Sequence, residues 1–220
     1  LEGEKVLKSV CLTDEHEVRH YGTSPVFIFD PSNGSNRPVR GVHNNAIVLW
    51  PLYPEFIREA FIRSFTEGIR RKERRVSDNE WLRLFIRLRD EIVSCGCGCE
   101  NFVVPTGGGA DESLRCLSCG AELVHPLRLN VQKFSVALCP GNHLYACHTQ
   151  KGSLDCRTVT GEVIRNKKKP TLWGVRNLSQ APWKAEMPDG TERTILPQEV
   201  LPIFRNVKIN FGGDVQAEIT

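Results

Sequence analysis

The sequence has little of several features that would assign it to a class directly. No apolar run approaches the ~18 residues that a membrane-spanning helix needs. Basic residues exceed acidic ones by only 29 to 26, and a net charge of +3 does not by itself indicate nucleic-acid binding. We find no internal repeat, and a hydrophobic fraction of 40% excludes disorder, collagen and coiled coil as descriptions of the whole chain.

Methionine is scarce as well. The single Met is Met187, whereas the first residue is Leu1. A natural chain normally begins with Met or with a small residue exposed by its removal, so we expect this sequence to be part of a longer protein. The start, Leu1–Lys5, is polar and lacks the apolar segment of a secretion signal, which favours a cytoplasmic chain. In that compartment nine cysteines favour metal binding or buried thiols over disulfides.

The composition changes along the chain and predicts an α+β protein of three modules. Residues 1–94 combine an irregular segment with two helical patterns. Residues 95–127 are rich in Cys and Gly, as in a small zinc ribbon. Residues 128–220 consist of short alternating apolar segments separated by turns such as Pro188-Asp189-Gly190, which is typical of an all-β sandwich.

Two helices are predicted before the cysteine-rich segment. In the first, apolar residues recur four apart from Ile57 to Phe65, and Pro54 suits the first turn. The second begins at Ser77–Glu80, where a Ser hydroxyl and a Glu carboxylate can satisfy each other's backbone amides in a capping box. Its expected apolar face is formed by Trp81, Phe85, Leu88 and Ile92.

Five cysteines carry the clearest chemical signal. Cys116 and Cys119 have the spacing of a zinc knuckle, and Gly follows the second of them. Upstream, Cys95, Cys97 and Cys99 offer either a C-x-C or a C-x₃-C pair, so one thiol is surplus. Two close pairs supply the four soft ligands that tetrahedral zinc needs. We therefore predict a structural zinc ribbon; a degenerate ribbon of reduced thiols and a redox relay using the surplus thiol are the alternatives.

A second group of cysteines and histidines follows the ribbon. It consists of Cys139, His143, Cys147, His148 and Cys156. A second metal site is conceivable there. However, a Pro-Gly-Asn turn separates Cys139 from His143, and strand alternation would place Cys147 and His148 on opposite faces. Buried thiols and ordinary strand histidines are the favoured interpretation.

Residues 21–94 contain motifs in an order known from protein kinases. Pro25–Pro31 and Asn36-Arg37-Pro38 are followed by Phe65–Gly68, and Arg75–Trp81 closes the series. The series resembles the last third of a Ser/Thr protein kinase C-lobe. In that family the Arg matched by Arg75 pairs with a buried Glu and ties the final helices to the activation segment. The resemblance therefore implies a structural ion pair at Arg75.

The order of modules is similar to that of bacterial kinases of the tellurite-resistance-associated phosphorylation triad. Their kinase lobe is followed by a Cys-rich ribbon and a β-rich tail. They are encoded beside a von Willebrand A protein and a metal-dependent Ser/Thr phosphatase, and the resemblance implies these two as partners. A lobe that begins so late would expose apolar surface, so self-association is expected as well.

The sequence departs from an active kinase at every catalytic motif. A Gly-rich phosphate loop, a Val-Ala-Ile-Lys strand, a His-Arg-Asp loop and an Asp-Phe-Gly motif are all absent. Without them nothing positions ATP, Mg²⁺ or the attacking hydroxyl. We therefore expect no catalytic residue and no enzyme activity in this chain, and ATP and Mg²⁺ only in the parent kinase.

The tail resembles a forkhead-associated sandwich more weakly. Pieces such as Gly161–Ile164 and Ile209–Gly212 carry this resemblance. In phosphothreonine-binding members an Arg directly follows the early Gly, whereas Glu162 stands here and would repel a phosphate. If the tail nevertheless binds phosphopeptides, the resemblance implies that the contacts are made by Arg165, Arg176, Asn177 and Ser179.

Two basic runs, Arg70–Arg75 and Lys167–Lys169, leave further functions open. Trp173 follows the second run and could stack on a base, although solvated loop charge is the default interpretation. The favoured function is a non-catalytic regulatory and docking portion of a Ser/Thr kinase. The competing functions are a free-standing zinc-ribbon module for nucleic acid and an enzyme that uses the surplus cysteine.

Overall fold

The computed structural model describes residues 13–103 and 114–220. The described residues form two compact units, one of residues 13–84 and one of residues 85–103 and 114–220. The fold is mixed α+β with antiparallel sheets, as predicted. The division into three modules at residues 94 and 127 stays a prediction, because compactness alone does not reveal which segments fold independently.

The first unit is built from short helices and turns. Their bounds are α1 Asp14–Glu17 continued by a π turn Val18–Thr23, α2 Asn44–Leu49 continued by a 3₁₀ turn Trp50–Leu52, α3 Glu55–Phe65, α4 Glu67–Arg70, a 3₁₀ turn Lys72–Arg74, and α5 Asp78–Asp90. Helix α5 begins in the first unit and ends in the second. None of the helices within the described ranges is long and apolar enough to span a bilayer.

Aromatic rings hold the first unit together. Trp50 stacks on Phe29 with ring centroids 4.2 Å apart, and Phe61 lies 4.9 Å from Trp81 across the α3–α5 pair. Phe27 stacks on Phe65 at 5.5 Å. Such ring pairs stabilise a small core by about 0.5–1.5 kcal/mol each beyond their buried area.

The beginnings of both predicted helices are confirmed, but two members of the predicted apolar face of the second, Phe85 and Ile92, do not lie on a buried helix face. Ser77 Oγ accepts the Glu80 N–H, which is half of the expected capping box. The Glu80 carboxylate pairs instead with Arg63 of α3. Phe85 is about half exposed, whereas its neighbour Ile86 is buried. Ile92 lies outside the helix, because α5 ends at Asp90 and Ile92 begins β1.

The second unit contains twelve strands within its described ranges. They are β1 Ile92–Ser94, β2 Glu100–Phe102, β3 Arg128–Val131, β4 Phe134–Ala137, β5 His143–Tyr145, β6 Val159–Arg165, β7 Trp173–Asn177, β8 Trp183–Glu186, β9 Glu192–Ile195, β10 Val200–Pro202, β11 Lys208–Asn210 and β12 Gln216–Ile219.

These strands form one hairpin and two larger sheets, all with antiparallel pairing. β1 pairs with β2. The four-stranded sheet has the order β10-β7-β6-β5, and the six-stranded sheet has the order β4-β3-β12-β11-β8-β9. Apolar residues of both larger sheets share one core, in which Leu129, Val175 and Trp183 are almost completely buried. Alternating apolar residues on each strand produce this core, since successive side chains point to opposite faces.

A short helix replaces the strand that alternation predicts at Cys147 and His148. Residues Ala146–Thr149 form α6, and all four are buried. The His148 side chain caps this helix, because its Nδ1 accepts the backbone N–H of Tyr145 at 3.2 Å. Both side chains therefore enter the interior rather than opposite faces of a sheet.

Candidate metal centre and neighbouring sites

Two tight turns carry the cysteines of the candidate metal centre. The first joins β1 to β2, and it closes through hydrogen bonds from Gly98 N to Cys95 O and from Cys95 N to Cys99 O. The second closes in the same way, from Gly120 N to Cys116 O and from Cys116 N to Ala121 O. Gly98 and Gly120 both have positive φ, of 87° and 70°, which glycine adopts without strain.

Four thiols meet between these two turns. The sulfurs of Cys95, Cys97, Cys116 and Cys119 all lie within 4.8 Å of one another. The Cys95–Cys119 and Cys97–Cys116 sulfur pairs are 3.6 Å apart. Four sulfurs ~2.3 Å from a tetrahedral zinc are about 3.8 Å apart, so the cluster has the dimensions of a metal-thiolate centre. The open choice in the first turn is thereby resolved in favour of the C-x-C pair.

Cys99 is the surplus thiol. Its sulfur lies 3.5 Å from the Glu100 carbonyl rather than in the cluster of four. The backbone N–H of Cys119, together with that of Ser118, lowers the pKa of the Cys116 thiol from 9.0 to about 6, which favours its thiolate form. A thiolate is the form that ligates metal.

Asn101, which the sequence analysis did not single out, joins the two turns. Its side-chain NH₂ donates to the Cys99 carbonyl at 3.0 Å and lies 3.8 Å from the Cys116 sulfur. Its Oδ1 accepts the N–H of Leu117 at 2.9 Å. Asn101 is almost completely buried, with 3% of its surface exposed. Groups in this position orient the ligands of a metal. An Asn in a strand is not unusual in itself, so only its place beside the cysteine turn could have indicated this role in the sequence.

Three consecutive charged residues at the end of α5 attach this helix to the β-rich unit. Arg89 donates to the Cys156 carbonyl at 2.9 Å and stacks on the Tyr145 ring. Asp90 lies 3.1 Å from His148 Nε2, and both are almost completely buried. The sequence does not predict these contacts, because three charged residues at the end of a helix are ordinarily expected to be exposed to solvent.

The third member of this run, Glu91, forms a buried ion pair. Arg128 of β3 binds it with two hydrogen bonds of 2.6 and 2.9 Å, and also donates to Ser135. Glu91 is only 3% exposed. The backbone carbonyl of Glu91 also accepts the N–H of Val103, so the same residue holds the cysteine-bearing hairpin.

The second cysteine and histidine group does not gather into one site. His148 is bonded to Asp90 and Tyr145, and His143 lies in β5 opposite Glu162. Within the described residues, the four thiols of the ribbon are the one group of three or more potential ligands. Cys147 and Cys156 are neighbours in space, because the N–H of Cys147 donates to the carbonyl of Asp155, the residue before Cys156.

Arg75 packs against the turn that leads out of α3. Its Nε donates to the Gly68 carbonyl at 2.7 Å. Gly68 is buried, and a Cβ there would lie 3.2 Å from the Arg75 side chain, so the close approach favours glycine. Among the described residues no carboxylate pairs with this guanidinium. The kinase-type ion pair at Arg75 stays a prediction.

Asn177 and Ser179, two of the four residues suggested for phosphopeptide contact, are occupied inside the fold. Asn177 is completely buried, donates to the carbonyls of Ala181 and Ile195, and accepts from the N–H and hydroxyl of Ser179. The Ser179 hydroxyl accepts the indole N–H of Trp183 at 3.1 Å. This network fixes the loop after β7.

The two arginines of that set also have partners. Arg176 of β7 lies directly across from Glu162 of β6, and their charged groups are 3.7 Å apart. Arg165 lies over the Trp173 ring at 6.0 Å, so this indole is not free on that side to stack on a base. Lys167–Lys169 follow on an exposed turn that Asn166 caps through the N–H groups of Lys168 and Lys169.

No protein-family model, curated protein or solved structure matches the chain. The resemblances to a kinase C-lobe and to a forkhead-associated sandwich therefore rest on the sequence alone.

Proposed function

We propose that this chain is a non-catalytic docking portion of a bacterial Ser/Thr protein kinase, stabilised by a structural zinc. The observation that carries the proposal is the cluster of four thiols from Cys95, Cys97, Cys116 and Cys119. Four protein ligands leave no open position on a tetrahedral ion, so such a centre stabilises structure and does not activate water. Zinc fits better than harder cations because all four donors are sulfur.

The kinase part of the proposal rests on the motifs of residues 21–94. The geometry is compatible with a docking role, because α5 passes directly from the unit that carries those motifs into the β-rich unit. Arg89, Asp90 and Glu91 bind the helix end to the β-rich unit through buried contacts. We propose that the β-rich unit binds the phosphatase or the von Willebrand A protein of the triad, and that the chain acts in the cytoplasm.

Binding of purified partners tests the docking proposal. The zinc-loaded full chain, immobilised through one end, is challenged with the purified phosphatase and separately with the purified von Willebrand A protein. Saturable binding of either one supports the proposal, and binding of neither at micromolar concentration overturns it. A variant with Lys208→Glu and Lys184→Glu on the outer face of the six-stranded sheet shows whether that face is used.

Two alternative functions have separate readouts in the same preparation. Salt-dependent retention of an oligonucleotide that is lost on replacing Lys167–Lys169 by Ser would favour the nucleic-acid module instead. Phosphate transfer from ATP to a protein substrate by the chain itself would contradict its non-catalytic assignment.

The exposed apolar residues Val48, Leu49 and Phe65 support self-association, which sedimentation at several concentrations measures.

A further inference from the structure

Cys147 and Cys156 occupy a position that neither the metal centre nor the docking proposal uses. Cys147 is the second residue of the buried helix α6, and its backbone N–H donates to the carbonyl of Asp155 at 2.8 Å. This bond brings the two ends of the loop 147–156 together. Since Asp155 immediately precedes Cys156, the same bond places the backbones of the two cysteines next to each other, and the two thiols interact electrostatically.

The two thiols differ in their exposure to solvent. Cys147 is 2% exposed, whereas Cys156 is partly exposed and its sulfur lies 3.2 Å from the Leu154 carbonyl. The guanidinium of Arg89 is bonded to the Cys156 carbonyl, so a positive charge lies close to the pair. Oxidation of cysteines selects exposed thiols with a resolving Cys nearby.

We propose that Cys156 and Cys147 form a reversible dithiol–disulfide site that reacts with peroxides. The Cys156 thiolate attacks one peroxide oxygen; an S–O bond forms, the O–O bond breaks, and the released hydroxide takes a proton to become water. The Cys147 sulfur then attacks the Cys156 sulfur. An S–S bond forms, the S–O bond breaks, and the leaving hydroxide takes the Cys147 proton. The two thiols lose two electrons in total, and the peroxide accepts them.

The order of attack follows from the environment of Cys147. Burial, together with the neighbouring Cys156 thiol, raises the pKa of Cys147 to about 12, so this thiol stays protonated at neutral pH. Cys147 is therefore the resolving partner. The bond would close the loop 147–156 and fix the Cys156 carbonyl that anchors Arg89 at the end of α5.

Peptide mapping of the full, zinc-loaded chain tests this site. Hydrogen peroxide is added in small excess, free thiols are alkylated, and the chain is cut with trypsin without reduction. Because Lys151 separates the two cysteines, the disulfide joins the tryptic peptides 134–151 and 152–157. We expect this linked pair in the wild type and its loss after dithiothreitol.

Peptide 134–151 also contains Cys139, which provides a matched control since it too is buried. The linked pair must persist in Cys139→Ser and vanish in Cys147→Ser and Cys156→Ser. In Cys147→Ser, Cys156 should accumulate as sulfinic acid at least several-fold more than in the wild type. Absence of the linked pair in the wild type, or its persistence in Cys147→Ser, overturns the proposal. Zinc content measured in parallel separates this result from oxidation of the ribbon.

Discussion

At the scale of single residues, Asn101 connects the two halves of the metal centre. One buried amide binds a carbonyl beside the first cysteine turn, a sulfur of the second, and an N–H next to it. An Ala at this position keeps all four thiols but removes the group that sets their spacing. The residue is thus a positioning residue for the metal rather than a ligand.

We predict that Asn101→Ala retains zinc binding with an affinity about 10–100-fold weaker, the range found when groups that orient metal ligands are removed. Competition with a chromophoric chelator measures the change. Asn130→Ala is the control, since Asn130 is an exposed Asn of the same unit that bonds Ser135 and Thr220. Equal affinities for the two variants would show that Asn101 has no such role.

Asn177 is the second residue whose importance comes entirely from burial. Replacing it with Ala leaves the carbonyl of Ile195 and the N–H of Ser179 without their side-chain partners inside the protein. We predict that Asn177→Ala lowers the free energy of unfolding by ~3 kcal/mol, because unsatisfied buried polar groups cost about 1–3 kcal/mol each. Asn166→Ala, which removes an exposed turn cap, should cost less than ~1 kcal/mol. Denaturant titration of both variants decides this.

At the scale of elements, the end of α5 is held by charge rather than by its apolar face. Arg128 binds Glu91 through both oxygens where the carboxylate is almost completely buried. We predict that Arg128→Met destabilises the β-rich unit by ~3–5 kcal/mol, since it leaves a buried charge without its partner. The double variant Arg128→Met with Glu91→Leu should recover most of this loss.

An exposed pair supplies the comparison for that prediction. Lys151 and Asp214 are 3.4 Å apart but 70% and 88% exposed, so Lys151→Met should change stability by less than ~1 kcal/mol. Thermal or denaturant unfolding of the three variants is the measurement. If Arg128→Met is as mild as Lys151→Met, the α5 attachment does not depend on the buried pair.

The sequence predicts local features of these elements better than their contacts. The capping Ser77, the strands around Phe134 and Ile209, and the knuckle at Cys116 and Cys119 all depend on neighbours a few residues away, and the structure has each of them. Choosing Cys97 over Cys99 requires the path of the β1–β2 turn, and both spacings suit a metal. The structure of that turn is therefore what decides the ligand set.

Three of the missed features share one cause, which is contact between residues far apart in the chain. Asp90 reaches His148 and Glu91 reaches Arg128, so charges that would ordinarily be solvated are buried. Asn101 is identified only when the second turn folds over it. The failure of alternation at Cys147 has a local cause instead, since the His148 ring accepts the N–H of Tyr145, three residues earlier, in a short helix.

At the scale of the whole molecule, the cysteine turns and the larger sheets have cores of different size. Val93 and Val103 of the ribbon pack with Ala137 and Cys139 in a small cluster, whereas the two sheets share a core of eighteen buried residues. The ribbon cluster is too small to hold the turns without a metal.

Metal removal should therefore affect the two parts unequally. We predict that a chelator makes the two cysteine turns, within residues 95–103 and 114–123, susceptible to proteolysis while the main unfolding transition of the sheets persists. Limited proteolysis with mass spectrometry locates the cuts, and readdition of zinc should restore protection. Complete unfolding on metal removal, or unchanged protection of the two turns, would be inconsistent with a locally stabilising metal.

The most direct test of the account is the zinc content of three exhaustively dialysed proteins. The wild type and Cys99→Ser should each retain about one zinc per chain, because Cys99 lies outside the four-thiol cluster. Cys97→Ser should lose most of it, since three thiols leave the tetrahedral site incomplete. Retention by Cys97→Ser with loss by Cys99→Ser, or a wild type without metal, would contradict the proposed centre.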